Sequence, residues 1–299
     1  MPRHRKLTQK LVGFPMFHKG TNKYTFSLTH PLTRAFTNVS GGVDPDLAAF
    51  ITATGATNTE SLGNLVTYLK QQSLWASSRI YPMKAAQNAG SGSIAYGLGG
   101  LTSNNMTLVS SPTWGADGIA FNGTSQYGTI PDFLGSQTIT GFARVAETSA
   151  TPTLSEAILG QYDSFNNQRS FILSHAGNIA NAPYRVNRSS DGTTNNANFE
   201  VYDGPGNNGS TADRTLVAQW VAGGGRSIWI NKSQQSLSLV SGTSQTSRFD
   251  ANVPVTFAAI LSNNTGSNFA NLKGKAFAMC NTTLTDTQRE AITDLINAL

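Results

Sequence analysis

Between residues 84 and 284 the chain is a succession of short alternating segments, each closed by a cluster of Gly, Asn, Asp or Pro. "GIAFNG", "YGTIPDF", "TITGFARV", "RSFILSH", "NFEVYDG", "LVAQWVAG", "RSIWINK", "VPVTFAAILS" and "KGKAFAMC" are the clearest. Side chains of a strand point alternately to its two faces, so each segment can bury one face only against a second layer. Short strands separated by tight turns satisfy that need by antiparallel pairing in a sandwich or barrel. A parallel α/β sheet would require crossover helices, and no helix-period stretch interrupts the run. The expected fold is mainly β, an antiparallel sandwich or barrel over residues 84–299. The stretch "FNGTSQYGTIPDF", residues 121–133, is expected to be a framework hairpin turning at Asn122-Gly123, with Phe121 and Ile130 facing inward.

Composition agrees. Charged residues make up 12% of the chain, about half the usual share of roughly 25%. Aromatic residues reach 9%, which argues against disorder. The single cysteine, Cys280, excludes an intrachain disulfide framework and lies among small residues on one strand, the setting of a core thiol. No apolar run approaches the roughly 18 residues of a membrane span, and no signal-type apolar region follows the basic N-terminus. The chain is therefore expected to be made in the cytoplasm without processing.

The excess of positive charge is concentrated in residues 1–43. Arg3, Arg5, Lys6, Lys10, Lys19, Lys23 and Arg34 lie there and no acidic residue does, so the remainder of the chain is slightly acidic. Apolar residues, Phe14 and Phe17 among them, are interleaved with these charges, and "KYTFSLTH" alternates like a half-buried strand. A lone strand must pair with something. Residues 1–43 thus read as a docking arm that threads onto another protein, in preference to a nucleic-acid arm, which would be more densely charged and less apolar.

Residues 44–83 read as a small helical module. Asp44 caps a helix with Pro45 at its first position, and Thr57 with Glu60 forms a capping box for a second. "LWASSRIYP" closes the module at Pro82. At the C-terminus, residues 285–299, Thr285 and Gln288 form another capping box, and Ile292, Leu295, Ile296 and Leu299 share one stripe that can close the sandwich.

"GIAFNGTSQYGTIPDF", "TITGFARV", "RSIWINKSQ" and "LKGKAFAMCNTTLTDTQREAI", in that order, resemble the laminin-G-like members of the concanavalin A-like lectin and glucanase fold. The helical string "DPDLAAFITATGATNTESLGNLVTYLKQQSLWASSRIYP" placed before them resembles a segment of tailed-bacteriophage virion structural proteins that carry such a jelly roll. The resemblance implies a virion component, attached to capsid or tail subunits through residues 1–83, homo-oligomeric in the particle, and displaying the sandwich outward. The alternative it implies, second to this one, is a host-glycan adhesin whose sandwich loops recognise a cell-surface polysaccharide.

Hydrolases of the concanavalin A-like fold set carboxylates at alternating positions of one strand, over the cleft, to serve as acid and nucleophile. Asp44 and Asp46 are the only acids here spaced by two, and they start a helix. The expectation is a non-enzymatic protein, with a divergent polysaccharide hydrolase the least favoured reading. The four histidines are isolated from one another and from the cysteine, so no metal or cofactor is expected. Sugars are held by amides, carboxylates and aromatic rings, and two loops offer these. Tyr162, Asp163, Asn166 and Asn167 form one candidate set, and Tyr202, Asp203, Asn207 and Asn208 the other. The competing reading is that Asn, Asp and Gly serve the turns themselves.

Overall fold

The strand Asn271–Cys280 shows how the layers arise. Phe277 and Met279 point into one apolar cluster, and Ala276, Ala278 and Cys280 into a second on the opposite face. A strand apolar on both faces must lie in a middle layer. A computed structural model of the protein, describing residues 42–148, 155–177, 182–206 and 211–299, places it there.

Two sheets are formed by the described residues. The eight-stranded sheet runs, edge to edge, through Ser233–Gln234, Arg226–Ile230, Arg214–Trp220, Ile139–Glu147, Asn271–Cys280, Gly118–Asn122 and Thr113–Gly115. Its eighth strand, Ser78–Pro82, pairs antiparallel with Asn271–Cys280, Ile80 opposite Ala278. The eleven-stranded sheet runs through Ser238–Gly242, Phe199–Asp203, Tyr184–Gly192, Gln168–His175, Glu156–Asp163, Val255–Phe257, Tyr127–Ile130, Met106–Val109 and Ile94–Ala95, with Ile260–Ser262 and Thr265–Ser267 attached beside Glu156–Asp163. The protein is a mainly-β antiparallel sandwich. Between the sheets lie Phe121, Ile130, Phe171, Tyr184, Trp220, Phe257 and Phe277, all at or near zero exposure.

The helices cover the outer face of the eight-stranded sheet. Helix α1 is Pro45–Thr54, α2 is Glu60–Gln71 and α3 is Asp286–Ala298. Leu62, Leu65, Val66 and Leu69 of α2 and Ile292 and Ile296 of α3 share one cluster with Phe142, Val217, Trp229 and Cys280 of the sheet. Each such aliphatic side chain contributes about 1.5–3 kcal/mol by leaving water. Residues 44–83 are therefore part of the sandwich's own core, and their apolar stripe is turned inward instead of toward a partner. Cys280 sits in this layer, its thiol pushed up to about 11 by burial, against the Ser78 hydroxyl.

Three local expectations are corrected. "FNGTSQYGTIPDF" is not a hairpin, because Gly118–Asn122 and Tyr127–Ile130 belong to different sheets. It is a corner. Asn122 Oδ1 accepts from the backbone N–H groups of Thr124, Ser125 and Gln126, and Gly123 takes φ +70°, which turns the chain from one layer to the other with Phe121 and Ile130 both inward. The second helix starts at Glu60 after Thr59 and has no side-chain cap, so the Thr57 box does not form. "SRIYP" is a strand and not the end of a helical unit.

At α1 and α3 the expected caps are present. Asp44 Oδ1 accepts from Asp46 N at 3.0 Å, and Gly55 ends α1 in the left-handed region. Thr285 Oγ1 accepts from Gln288 N while Gln288 Oε1 accepts from Thr285 N. Replacing Thr285 by Ala is expected to cost about 1 kcal/mol, read as a lower urea midpoint with an unchanged slope.

The arm, residues 1–43, lies outside the described residues except for its last two positions. This applies to Arg3, Arg5, Lys6, Lys10, Phe14, Phe17, Lys19 and Lys23, and also to Asn207 and Asn208.

Candidate functional site

The two candidate loop sets do not converge. Asp163 and Gln168 close one end of their strand pair, while Asp203 pairs with Arg185, itself opposite Ser174 near the other end. With Tyr184–Gly192 and Gln168–His175 lying between them, the two sets occupy opposite ends of the sheet.

In the first set the side chains are committed to the fold. Asp163 is buried and accepts from the backbone N–H groups of Phe165, Asn166, Asn263 and Asn264 and from Asn166 Nδ2. Burial alone would raise its pKa, but these donors outweigh burial and hold it below the usual carboxylate value. Its carboxylate ties two turns together and has no capacity left for a sugar hydroxyl. Asn167 has φ +53° and its Oδ1 accepts from Arg169 Nη1 at 2.7 Å. Tyr162 packs in a small apolar cluster with Ile172, Phe199, Val201 and Ile260, under the Arg169 guanidinium. Here the turn-forming reading of Asn and Asp prevails.

Of the second set, Asp203 makes a two-pronged ion pair with Arg185, Oδ1 to Nε at 2.6 Å and Oδ2 to Nη2 at 2.8 Å. Tyr202, one residue earlier, points the opposite way, toward the space between the sheets. There the Arg226 guanidinium lies 4.3 Å from its ring centroid.

Arg226 leads to the candidate site. It begins the strand that follows the Gly223-Gly224-Gly225 turn, and it lines a groove of about 350 Å³ with Gln234, Gln235, Ser236 and Leu237. The groove lies at the open edge of the sandwich, where the chain leaves Ser233–Gln234 in one sheet and enters Ser238–Gly242 in the other. Its lining is two amides, a hydroxyl, a guanidinium and one aliphatic side chain, with the Tyr202 ring behind.

A buried charge cluster holds Arg226 in place. Glu200 is 1% exposed; its Oε1 stands 3.0 Å from Arg188 Nε, and its Oε2 accepts from Gln245 N at 2.6 Å and lies 3.5 Å from Arg226 Nη1. Ser244 Oγ accepts from both terminal nitrogens of Arg226, at 3.0 and 2.8 Å, and the Gly224 carbonyl accepts from Nη2. Arg188, also 1% exposed, donates to the carbonyls of Val221 and Gln245. Burial lowers its pKa, and Glu200 acts in the opposite direction. Sequence reasoning found Tyr202 but missed Arg226, Gln234 and Gln235. The available signal was the polar "KSQQS" between two strands with an arginine just after three glycines.

A second group of ionisable side chains gathers at the opposite end. Tyr184 Oη donates to Glu147 Oε2 at 3.1 Å, the His175 ring centroid is 5.2 Å from that of Tyr184, and the Arg214 guanidinium stands 6.0 Å from the same ring. Glu156 is raised to about 7, mainly by burial and further by the nearby Glu147 charge, against a backbone hydrogen bond from Asn271. These carboxylates come from strands of different sheets, which spacing along one strand cannot reveal. Among the described residues no three His, Cys, Asp or Glu side chains come together as a metal would need, and no helix is long and apolar enough to cross a membrane.

No family model matches the sequence, and no curated protein matches it significantly. Solved structures do share the architecture. Trypanosoma rangeli sialidase in complex with sialic acid superposes with a TM-score of 0.52 at 12% identity, over 79% of this chain and 38% of the sialidase. The same sialidase with the inhibitor DANA gives 0.50 at 12% identity, over 79% and 39%. The Ruminococcus gnavus sialidase CBM40 bound to α2,3-sialyllactose gives 0.41 at 14% identity, over 53% of this chain and 83% of that one. This chain thus spans well under half of the Trypanosoma sialidase. At these identities the likeness establishes the β-sandwich fold and nothing finer.

Proposed function

We propose that the protein is a non-enzymatic glycan-binding β-sandwich carried on a bacteriophage particle. One observation carries the binding half: the edge groove, where Arg226, Gln234, Gln235 and Ser236 present amide, hydroxyl and guanidinium groups beside the half-buried ring of Tyr202. Saccharides are recognised by such groups, which match their dense, directional hydroxyls. A volume of about 350 Å³ lies in the range of small-molecule sites. The sialidase superposition contributes the fold alone, although that structure holds sialic acid.

The virion setting rests on the resemblance of residues 44–82 to virion proteins and on the basic arm, residues 1–43. The arm is the proposed attachment to capsid or tail subunits, because α1 and α2 are committed to the sandwich core.

Glycan-array screening of the full chain followed by calorimetry tests the binding half. The double variant Gln234→Ala/Gln235→Ala is expected to weaken any array hit by about tenfold or more. Its unfolding midpoint should be nearly unchanged, since neither side chain is in the core. Undiminished affinity would remove the groove as the site, and release of reducing sugar from the bound glycan would overturn the non-enzymatic reading.

A further inference from the structure

The charge balance around the groove specifies its ligand further. Two guanidiniums, Arg188 and Arg226, face one carboxylate, Glu200, so the cluster carries an uncompensated positive charge. The compensation is also uneven. Arg188 takes Glu200 Oε1 at 3.0 Å, whereas Arg226 has only a 3.5 Å contact to Oε2, which already accepts from Gln245 N at 2.6 Å. Among the described residues Glu200 is the only carboxylate in an ion pair with Arg226, since Asp203 is held by Arg185 and points to the other face of its sheet. The under-neutralised guanidinium is the one that lines the groove, and Ser244 and the Tyr202 ring hold it there.

We infer that the groove selects acidic saccharides, whose carboxylate completes the Arg188–Glu200–Arg226 cluster by pairing with Arg226, while Gln234, Gln235 and Ser236 bind neighbouring hydroxyls. The Arg226 terminal nitrogens are engaged by Ser244, the Gly224 carbonyl and the 3.5 Å contact to Glu200, so a sugar carboxylate pairs with this guanidinium through Nε–H or by replacing that long contact. Partial desolvation strengthens the pair relative to the same contact in water. The inference rests on the glycan-binding reading and narrows it. Two sugar classes supply this chemistry, hexuronates and nonulosonates, and they differ in what flanks the carboxylate.

The test is calorimetry of the full chain with a hexuronate oligosaccharide and a nonulosonate-terminated oligosaccharide, each beside its carboxyl-reduced counterpart. At least one acidic sugar is expected to bind about tenfold to a hundredfold tighter than its reduced form. That preference should shrink as salt rises, stay in Arg226→Lys and disappear in Arg226→Gln. A structural role alone would lower both affinities together and leave their ratio unchanged. Equal binding of acidic and reduced sugars overturns the charge inference and leaves the glycan reading standing. No binding by any of the four overturns both. Which acidic sugar wins distinguishes the two classes.

Discussion

Replacing Glu200 by Gln is expected to destabilise the protein by about 3–5 kcal/mol, the cost of leaving a buried charge without its partner. Glu200 and Arg188 are each 1% exposed, so water cannot substitute for the lost carboxylate as it does at a surface pair. The variant leaves Arg188 and Arg226 with no counter-charge, and its single amide oxygen can accept from Arg188 Nε or from the Gln245 N–H but not from both. Urea unfolding with an unchanged slope measures the loss, and high salt should recover little of it because the cluster is shielded from mobile ions. The double variant Glu200→Gln/Arg188→Met should regain part of the stability, since it removes one orphaned charge along with the pair. A loss below about 1 kcal/mol in the single variant would mean that solvent enters the cluster. Arg226 could then not be held at the groove as its contacts imply. Stability and glycan affinity are therefore expected to fall together in Glu200→Gln, but separately in Gln234→Ala/Gln235→Ala.

The architecture was legible because it rests on alternation. Strands such as Arg214–Trp220 bury Leu216, Ala218 and Trp220 in one cluster and Val217 in the other, a pattern visible in the string itself. The strand Glu156–Asp163 was not legible. Seven of its eight residues are buried, so no polar face marks it as a strand. Tyr184–Gly192 was missed for the opposite reason: its Arg, Asn, Ser and Asp side chains conceal Tyr184 and Val186, which face the core. The Asn122-Gly123 signal correctly marked a turn but carries no information on whether the next strand stays in the same sheet. The groove depended on the same missing information. Tyr202 and Arg226 meet across the open edge of two sheets, and no local pattern encodes that distance. Asp163 and Tyr202 looked alike in the string, each beside another candidate in an Asn-rich loop. Only the backbone donors gathered around Asp163 separate a turn-former from a groove residue.

Raising the pH from 4.5 to about 7 is expected to remove the stabilisation that protonated Glu156 contributes, and Glu156→Gln is expected to abolish that part of the pH dependence. In the fold, burial and the neighbouring Glu147 hold Glu156 at about 7 against an ordinary 4.5. Between these values the folded state binds a proton that the unfolded state has released, so stability falls as pH rises through the window and stays low above it. A shift of this size corresponds to at most about 3 kcal/mol. Glu156 is only half-buried, and solvent access should reduce the effect to about 1–2 kcal/mol. His175 acts with the opposite sign. Burial lowers its pKa below 6.5, so the unfolded state takes up the extra proton and acidification destabilises the fold. In the wild-type protein the two slopes oppose one another below pH 6.5, while above it the Glu156 slope remains alone. Glu156→Gln should therefore be more stable than wild type above pH 7, and its stability should fall on acidification, first through His175 and then, near pH 4, also through carboxylates such as Asp163 that the fold holds below their ordinary value. Urea midpoints from pH 4 to 9 for both proteins, with a carbon-13 titration of the Glu156 carboxyl, decide the point. A carboxyl midpoint near 4.5 with coincident stability curves would show that the Asn271 hydrogen bond and solvent keep Glu156 ionised, and that the two carboxylates of this end do not interact.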